Sequence, residues 1–480
     1  MKAFLEALAE RYGVSRFARS VAVVAGGTLA AQAVGLLAAP ILTRLYAPEA
    51  FGALAVFASL LGLALPLTSF KLELGIPLED GERADGLLRL CLALVAGVSL
   101  AAAIGLALTG HRLAETLGLD PRALWFLPFA LIGAGVTQAS VQWRNTVGEF
   151  HKTAGASVAR TLSQNATQLL AAAWSASPLA FVAGYAGGHL VGAIFCLPWR
   201  LLRRSHDSWR ELGSTHAAFA KFTALGSLIN TMGLVAAPLL FSSLFGLQIA
   251  GFFGLVVRVL GLPATFLGGA IAQVFYPEAS RRAQKGEAAT LVSALARGLV
   301  LTGTLGFGLL AIFARPLFVL VFGPDWEAAS LYATIMCPAF AANLVSAPLS
   351  SFAFVAGRQR TQLLTAFGAT GLRLVGLIAG AKLGGALGSV SGLACAGVLI
   401  STAYASWVLK LAGVAWLRWL RESAPALFAT LLLLAGSFGL SQVLGQRWWG
   451  AAFAISLVPA LWLVVRELRS APVQAAPPKP

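Results

Sequence analysis

Fourteen apolar runs, separated by short polar connections, set the pattern of the chain. They fall at roughly residues 20–45, 51–76, 86–109, 123–147, 153–175, 178–199, 218–245, 249–275, 290–321, 327–355, 361–381, 384–410, 424–444 and 449–466. A helix rises 1.5 Å per residue, so about 20 residues cross the hydrocarbon core of a bilayer. The pattern therefore predicts an all-α polytopic membrane protein with about 14 transmembrane helices. The first run, Val21 to Leu45, carries no charge until Arg44. It is not plain lipid-facing helix. Thr28 and Gln32 lie four apart and share a face. Gly26, Gly27 and Gly35 permit close helix contact, and Pro40 interrupts the hydrogen-bond ladder near the far end.

Part of that run returns later. Ala38-Ala39-Pro40-Ile41-Leu42, Leu45-Tyr46, Gly52 and Gly62 are echoed by Ala236-Ala237-Pro238-Leu239-Leu240, Leu244-Phe245, Gly251 and Gly261. The offset is 198 residues at the proline and 199 after it. So long a period excludes a solenoid and fits two similar helical bundles with a substrate path between them. The echo lies in the seventh run, six runs on from the first, and an even displacement makes the halves run parallel. The expected organisation is an amphipathic cytoplasmic segment at 1–19, an N-lobe at 20–205 and a C-lobe at 206–411. An extra helix pair at 412–470 and a Pro/Ala-rich disordered tail at 471–480 complete it. The N-terminus is charged throughout and does not read as a signal peptide.

Charge placement orients this topology. With the N-terminus in the cytoplasm, 24 of the 35 Lys and Arg fall at cytoplasmic ends, six at outer ends and five within spans. That split follows the positive-inside rule and predicts two cytoplasmic termini. It also accounts for the net charge of +16 without a nucleic-acid partner. Only 11% of residues are charged and 58% are hydrophobic, against about 25% charged in a soluble domain. The four cysteines form no CxxC and the five histidines no HExxH, so no metal or cofactor is indicated. No P-loop and no large outer loop with catalytic residues is present, which argues against an ATP-driven pump and against a membrane enzyme.

Candidate chemistry lies in the charges that the spans retain, each costing at least ~2.5 kcal/mol near the bilayer centre on insertion scales. Arg373 lies deepest, about 18 Å into its helix. Arg258 and Arg160 are also within spans, as are Lys71 and Arg297, for which snorkelling to the interface is the competing reading. Arg160, Gln164 and Gln168 form one stripe at spacings of four. Gln138, Gln142 and Asn145 form another, and Gln32 and Asn230 add amides in the first and seventh runs. Amides carry donors and acceptors that suit sugar hydroxyls, and arginines suit phosphate. With interhelical hydrogen bonding as the alternative, the predicted lumen set is Arg373, Arg160, Arg258, Arg44, Lys71, Arg144, Gln164, Gln168, Gln32, Gln142 and Asn230. Acidic residues within spans are few, Glu73 among them, so the excess charge is positive.

From about residue 15 to 410 the chain resembles the Wzx-type O-antigen and oligosaccharide flippases, polysaccharide transporters of the multidrug/oligosaccharidyl-lipid/polysaccharide superfamily. The resemblance is carried by Gly26-Gly27-Thr28 with Gln32, by Pro40-Ile41-Leu42-Thr43-Arg44-Leu45-Tyr46, by Pro48-Glu49 and Phe51-Gly52, and by Phe70-Lys71-Leu72-Glu73-Leu74. Further on it is carried by Ala250-Gly251-Phe252-Phe253, Gln273 to Glu278, Phe322-Gly323 with Trp326 to Ala329, and Gly357-Arg358-Gln359. It implies two six-helix lobes working by alternating access. The implied cargo is an oligosaccharide repeat unit on undecaprenyl pyrophosphate, and a polysaccharide polymerase is the implied partner. The extra helix pair at 412–470 also makes the chain resemble the fourteen-span lipid II flippases, which keeps that cargo open. A drug or cation antiporter of the same superfamily would need lumen carboxylates, which are scarce here.

Overall fold

A computed structural model of the chain describes residues 16–199, 209–284, 287–356, 358–444 and 448–470. Among the described residues there is no strand, so the fold is all-helical, as the apolar runs predict. The expected surface helix before residue 16 and the tail after 470 lie outside the described residues. In chain order the helices are α1 (Arg16–Leu45), α2 (Pro48–Thr68), α3 (Gly81–Leu117), α4 (Leu127–Thr146), α5 (Phe150–Ala172) and α6 (Pro178–Cys196). The short α7 (Trp209–Thr215) leads to α8 (Ala224–Phe245), α9 (Leu247–Gln284) and α10 (Ala288–Ile312). Then come α11 (Ala314–Phe322), α12 (Glu327–Leu349), α13 (Gln359–Leu411), α14 (Trp416–Leu444) and α15 (Trp449–Ser470). Each of the fourteen apolar runs is helical over most of its described residues. Among the described residues nine helices are long and apolar enough to cross a membrane, or ten if the bent pair 219–233 and 235–245 counts as one span. The polar α5 is not one of them.

The second run departs from its sequence pattern. A single helix was expected over 51–76, but α2 stops at Thr68 and the chain turns into a 3-10 helix over Leu72–Leu78. Phe70 and Lys71 between them adopt positive φ, 50° and 61°. Pro66 lies within the last turn of α2, and the Thr68 hydroxyl donates to the Leu65 carbonyl at 2.8 Å. Left-handed backbone at a non-glycine residue costs about 1–3 kcal/mol.

Two compact units divide inside α9, at Gly254/Leu255. In the first, α5 and α6 pack along their length. Lipid tails are as apolar as leucine, so helices in a bilayer hold together by close packing of small residues. Gly184, Gly188 and Gly192 of α6 present that surface. A Cβ on Gly184 would sit 2.7 Å from Gln168 Cγ, and one on Gly188 2.8 Å from Gln164 Cβ. One on Gly192 would meet Arg160 Cβ at 3.2 Å. In the same way α1 lies on α5, with Gly27 against Ala154, and α4 on α6, with Gly133 against the His189 carbonyl. Phe181 seats between Tyr46 and Phe51, its ring centroid 4.5 and 4.7 Å from theirs. Helix α8 packs on α2. There Gly52 faces the Leu247 carbonyl and Gly251 faces the Pro48 carbonyl, so the two glycines related by the 199-residue offset meet each other.

In the second unit, α13 is broken by Gly384 and Gly385, the latter at φ 59° and ψ −139°. The two halves fold back as a hairpin. Gly376 and Gly380 of one half rest on the carbonyls of Gly392 and Gly388 of the other, and the reverse. The last pair, α14 and α15, docks on α10 through Leu305, Leu309, Phe313, Ala452 and Ala460.

Close contact at Gly188 makes a direct prediction. Gly188→Ala should lower the melting temperature of the purified protein, at a cost of about 1–3 kcal/mol for overpacking. Gly187→Ala, where nothing lies within 4 Å of an added Cβ, should leave it unchanged or slightly raised. A thermal melt of both variants in one detergent checks the difference.

Candidate functional site

The break after α2 gathers the most enclosed carboxylate of the first unit. Glu73 is 1% exposed. The Ser69 hydroxyl donates to Glu73 Oε2 at 2.5 Å, and the side-chain amide of Gln138 on α4 donates to Oε1. Lys71 Nζ stands 3.6 Å from Oε1. The left-handed turn at Phe70 and Lys71 is what brings the ammonium back over the carboxylate two residues on. Charges taken from water need such partners, because the desolvation cost is several kcal/mol per ion. Sequence reasoning placed Lys71 among the lumen cations and read Glu73 only as a scarce acid. The signal was the Lys-x-Glu pair inside an apolar run.

Predicted site residues are only partly brought together. Gln164 and Gln168 are buried on the face of α5 that meets α6, 8% and 1% exposed. The Gln168 amide donates to the Phe181 carbonyl at 2.9 Å, and the Tyr46 hydroxyl donates to the Gln168 carbonyl at 2.7 Å. This corrects the expected lumen stripe at these two positions: the glycine face of α6 draws them into a helix contact. Arg160 heads the same stripe and is half-buried. Arg144 is also a structural group. Its guanidinium donates to the carbonyls of Cys196 at 2.7 Å and Leu197 at 3.1 Å, and pairs with Glu149. It thereby caps the end of α6. Gln32 and Gln142 are half-buried, while Arg44 and Asn230 are exposed. Arg258 and Arg373, both half-buried, belong to the second unit. Of the charges within spans, Lys71 pairs with Glu73 and Arg297 with Glu422 at 3.2 Å. Among the described residues no carboxylate forms an ion pair with Arg160 or Arg373.

Two further features were not visible in the sequence. Helix α7 is latched to the start of α3. Arg83 donates to Glu79 at 2.7 Å and to Glu211 at 3.1 Å, and His216 Nε2 lies 2.9 Å from Glu79 Oε1. The Arg83 guanidinium, and after it the His216 ring, hold the Glu79 carboxyl below the usual carboxylate range. In the second unit an apolar cavity of about 380 Å³ opens between α10, α12, α13 and α14, lined among others by Phe307, Pro338, Trp416, Trp419 and Leu434. Among the described residues no group of three His, Cys, Asp or Glu could hold a metal ion.

Residues 41–331 match the model of a family described as "Polysaccharide biosynthesis protein". The chain belongs to that polysaccharide biosynthesis family. No curated protein sequence matches it. Among solved structures, the family member is similar to the lipid II flippase MurJ in an inward closed conformation, with TM-score 0.74 at 12% identity over 93% of this chain and 97% of that one. It is also similar to an inward-facing multidrug resistance MATE transporter, with TM-score 0.58 at 14% identity, covering 80% of this chain and 94% of that one. A third likeness is to the Vibrio cholerae MATE transporter VcmN, with TM-score 0.53 at 16% identity over 84% and 96%. The fold is thus one shared with MurJ and the MATE transporters, and the protein is a multi-pass membrane protein.

Two outcomes follow for this family member. Glu73→Ala strands Lys71, Ser69 and Gln138 in a buried site, and should destabilise the protein by about 3–5 kcal/mol in a denaturant or thermal titration. Acid should loosen the α7 latch. A carboxyl whose folded pKa is depressed contributes stability above its unfolded pKa and loses it as pH falls through the folded pKa. Thermal melts between pH 6 and 3 should therefore show an acid loss that Glu79→Gln reduces.

Proposed function

We propose that the protein is a flippase that moves an oligosaccharide repeat unit, linked to undecaprenyl pyrophosphate, across the bacterial inner membrane. The observation that carries this reading is the charge imbalance within the spans of a polysaccharide-family chain with a flippase fold. Among the described residues no carboxylate forms an ion pair with Arg160 or Arg373, and the buried carboxylate of the first unit, Glu73, is already paired with Lys71. Unpaired guanidinium at membrane depth is expensive unless it faces water or an anion. Pyrophosphate is the anion of a lipid-linked sugar, and a planar guanidinium binds it bidentately.

Each part of such a cargo meets a matching surface. Arg160, Arg373 and Arg258 hold the pyrophosphate in turn as the path opens to either side. The half-buried amides of Gln142 and Gln32, with exposed Asn230 and Arg44, meet the sugar. The polyprenyl chain lies along apolar surface that includes the cavity beside α14 in the second unit. The lobes that alternate are 20–205 and 206–411, with 412–470 as an added pair. Both termini are cytoplasmic and the product passes to a polysaccharide polymerase. A drug or cation exporter would need free carboxylates in its path.

Reconstitution tests the reading. Proteoliposomes loaded with a fluorescent undecaprenyl-pyrophosphate oligosaccharide should show protein-dependent transfer between leaflets. Arg373→Ala and Arg160→Ala should slow it at least tenfold while inserting and melting normally. Wild-type rates in both variants would remove the site assignment.

A further inference from the structure

His189 is an ionisable group that no step so far has used. It lies in α6, eleven residues after Pro178, so about 17 Å from the outer end and near mid-depth. Its Nε2 is buried and has no hydrogen-bond partner among the described residues. The Tyr185 ring stands edge-on to it, centroids 4.8 Å apart at 72°. Tyr185 is braced in turn by Phe57 of α2, 6.1 Å away at 89°. Gly133 of α4 closes against the His189 backbone at 2.6 Å from a Cβ position to its carbonyl carbon. The site is thus built from three helices around one imidazole whose outer nitrogen is left unused. A buried polar atom normally finds a partner, because leaving it bare costs about 1–3 kcal/mol.

The charges around it come from a short list. On α5 the facing group is Arg160, whose carbonyl and Cβ sit against Gly188 and Gly192, one and three residues from His189. The single charged residue of α4 is Arg144, committed two turns away at Cys196 and Leu197. Helix α4 also anchors Glu73 through Gln138, and that carboxylate is paired with Lys71. On α2 the charged residue is Glu49 in the first turn, and the turn before α4 holds Arg122, both at the outer end. Arg160 therefore dominates. A second positive charge beside a guanidinium in low dielectric is unfavourable, and an anion seated on that guanidinium reverses the sign.

We propose that His189 is a proton-binding site linked to anion binding at Arg160: the imidazole takes up one proton when the pyrophosphate arrives and releases it when the pyrophosphate leaves. The inference rests on the flippase reading and adds to it a coupled proton. Nothing is oxidised and no covalent bond to carbon or phosphorus changes; one N–H bond forms at the ring as the proton is drawn from water.

Calorimetry on the purified full-length protein tests this, with farnesyl pyrophosphate as the probe, in buffers of different ionisation enthalpy between pH 6 and 8. The wild type should take up close to one proton per bound ligand, so its affinity should fall up to about tenfold per pH unit above the point of uptake. In His189→Gln and His189→Asn binding should persist and proton uptake should drop, and the ligand's own ionisation cancels in that difference. Either folded variant suffices, and the slope of wild-type affinity with pH is read without any variant. Arg160→Ala should lose binding. Wild-type binding without proton uptake, or unchanged uptake in the histidine variants, overturns the proton site and leaves the flippase reading standing. Absence of any pyrophosphate binding by the wild type overturns the flippase reading and this inference with it.

Discussion

No water in a hydrocarbon core can satisfy a bare peptide group, so a spanning chain leaves the helix only where protein covers it. The architecture follows from that constraint. The sharp departure after α2 is roofed by α3, α4 and α7, and the carboxylate it encloses, Glu73, is hydrogen-bonded by Ser69 and Gln138. The turn at Gly384 and Gly385 joins two helix halves that are already zipped glycine to glycine. Between these points the helices must hold one another without a hydrophobic drive, and they do so by approaching closely enough for backbone to touch backbone.

That requirement also decides which polar residues are available for chemistry. Glutamines on α5 that face a glycine ladder are consumed by packing. Arginine at the end of α6 is consumed by carbonyls. Among the described residues, those left with unspent hydrogen-bonding or charge include Arg160, Arg373 and the imidazole of His189. A membrane protein can keep such groups at depth only by supplying water or a ligand, and the family to which the chain belongs handles polysaccharide.

Much of the fold was legible in the sequence because its physics is periodic and one-dimensional. Run length gave helices, and each of the fourteen runs is helical over most of its described residues. Gly52 and Gly251, related by the repeat offset, do touch. The site was less legible, because i, i+4 spacing names a face but not what lies opposite it. The Arg160-Gln164-Gln168 stripe is real as a stripe, yet two of its three members meet α6. Lys71 was read as a lumen cation and not as the partner of Glu73, since a positive-φ turn at Phe70 has no glycine to announce it. His189 gave no signal at all: its environment is assembled from helices far apart in sequence.

The central claim is that this chain moves a lipid-linked oligosaccharide. The most direct measurement deletes the gene and assays surface polysaccharide together with the undecaprenyl-linked oligosaccharide of each membrane leaflet by mass spectrometry. The account predicts loss of polymer with the lipid-linked repeat unit stranded on the cytoplasmic leaflet. Intact polysaccharide with increased sensitivity to cationic drugs would contradict it.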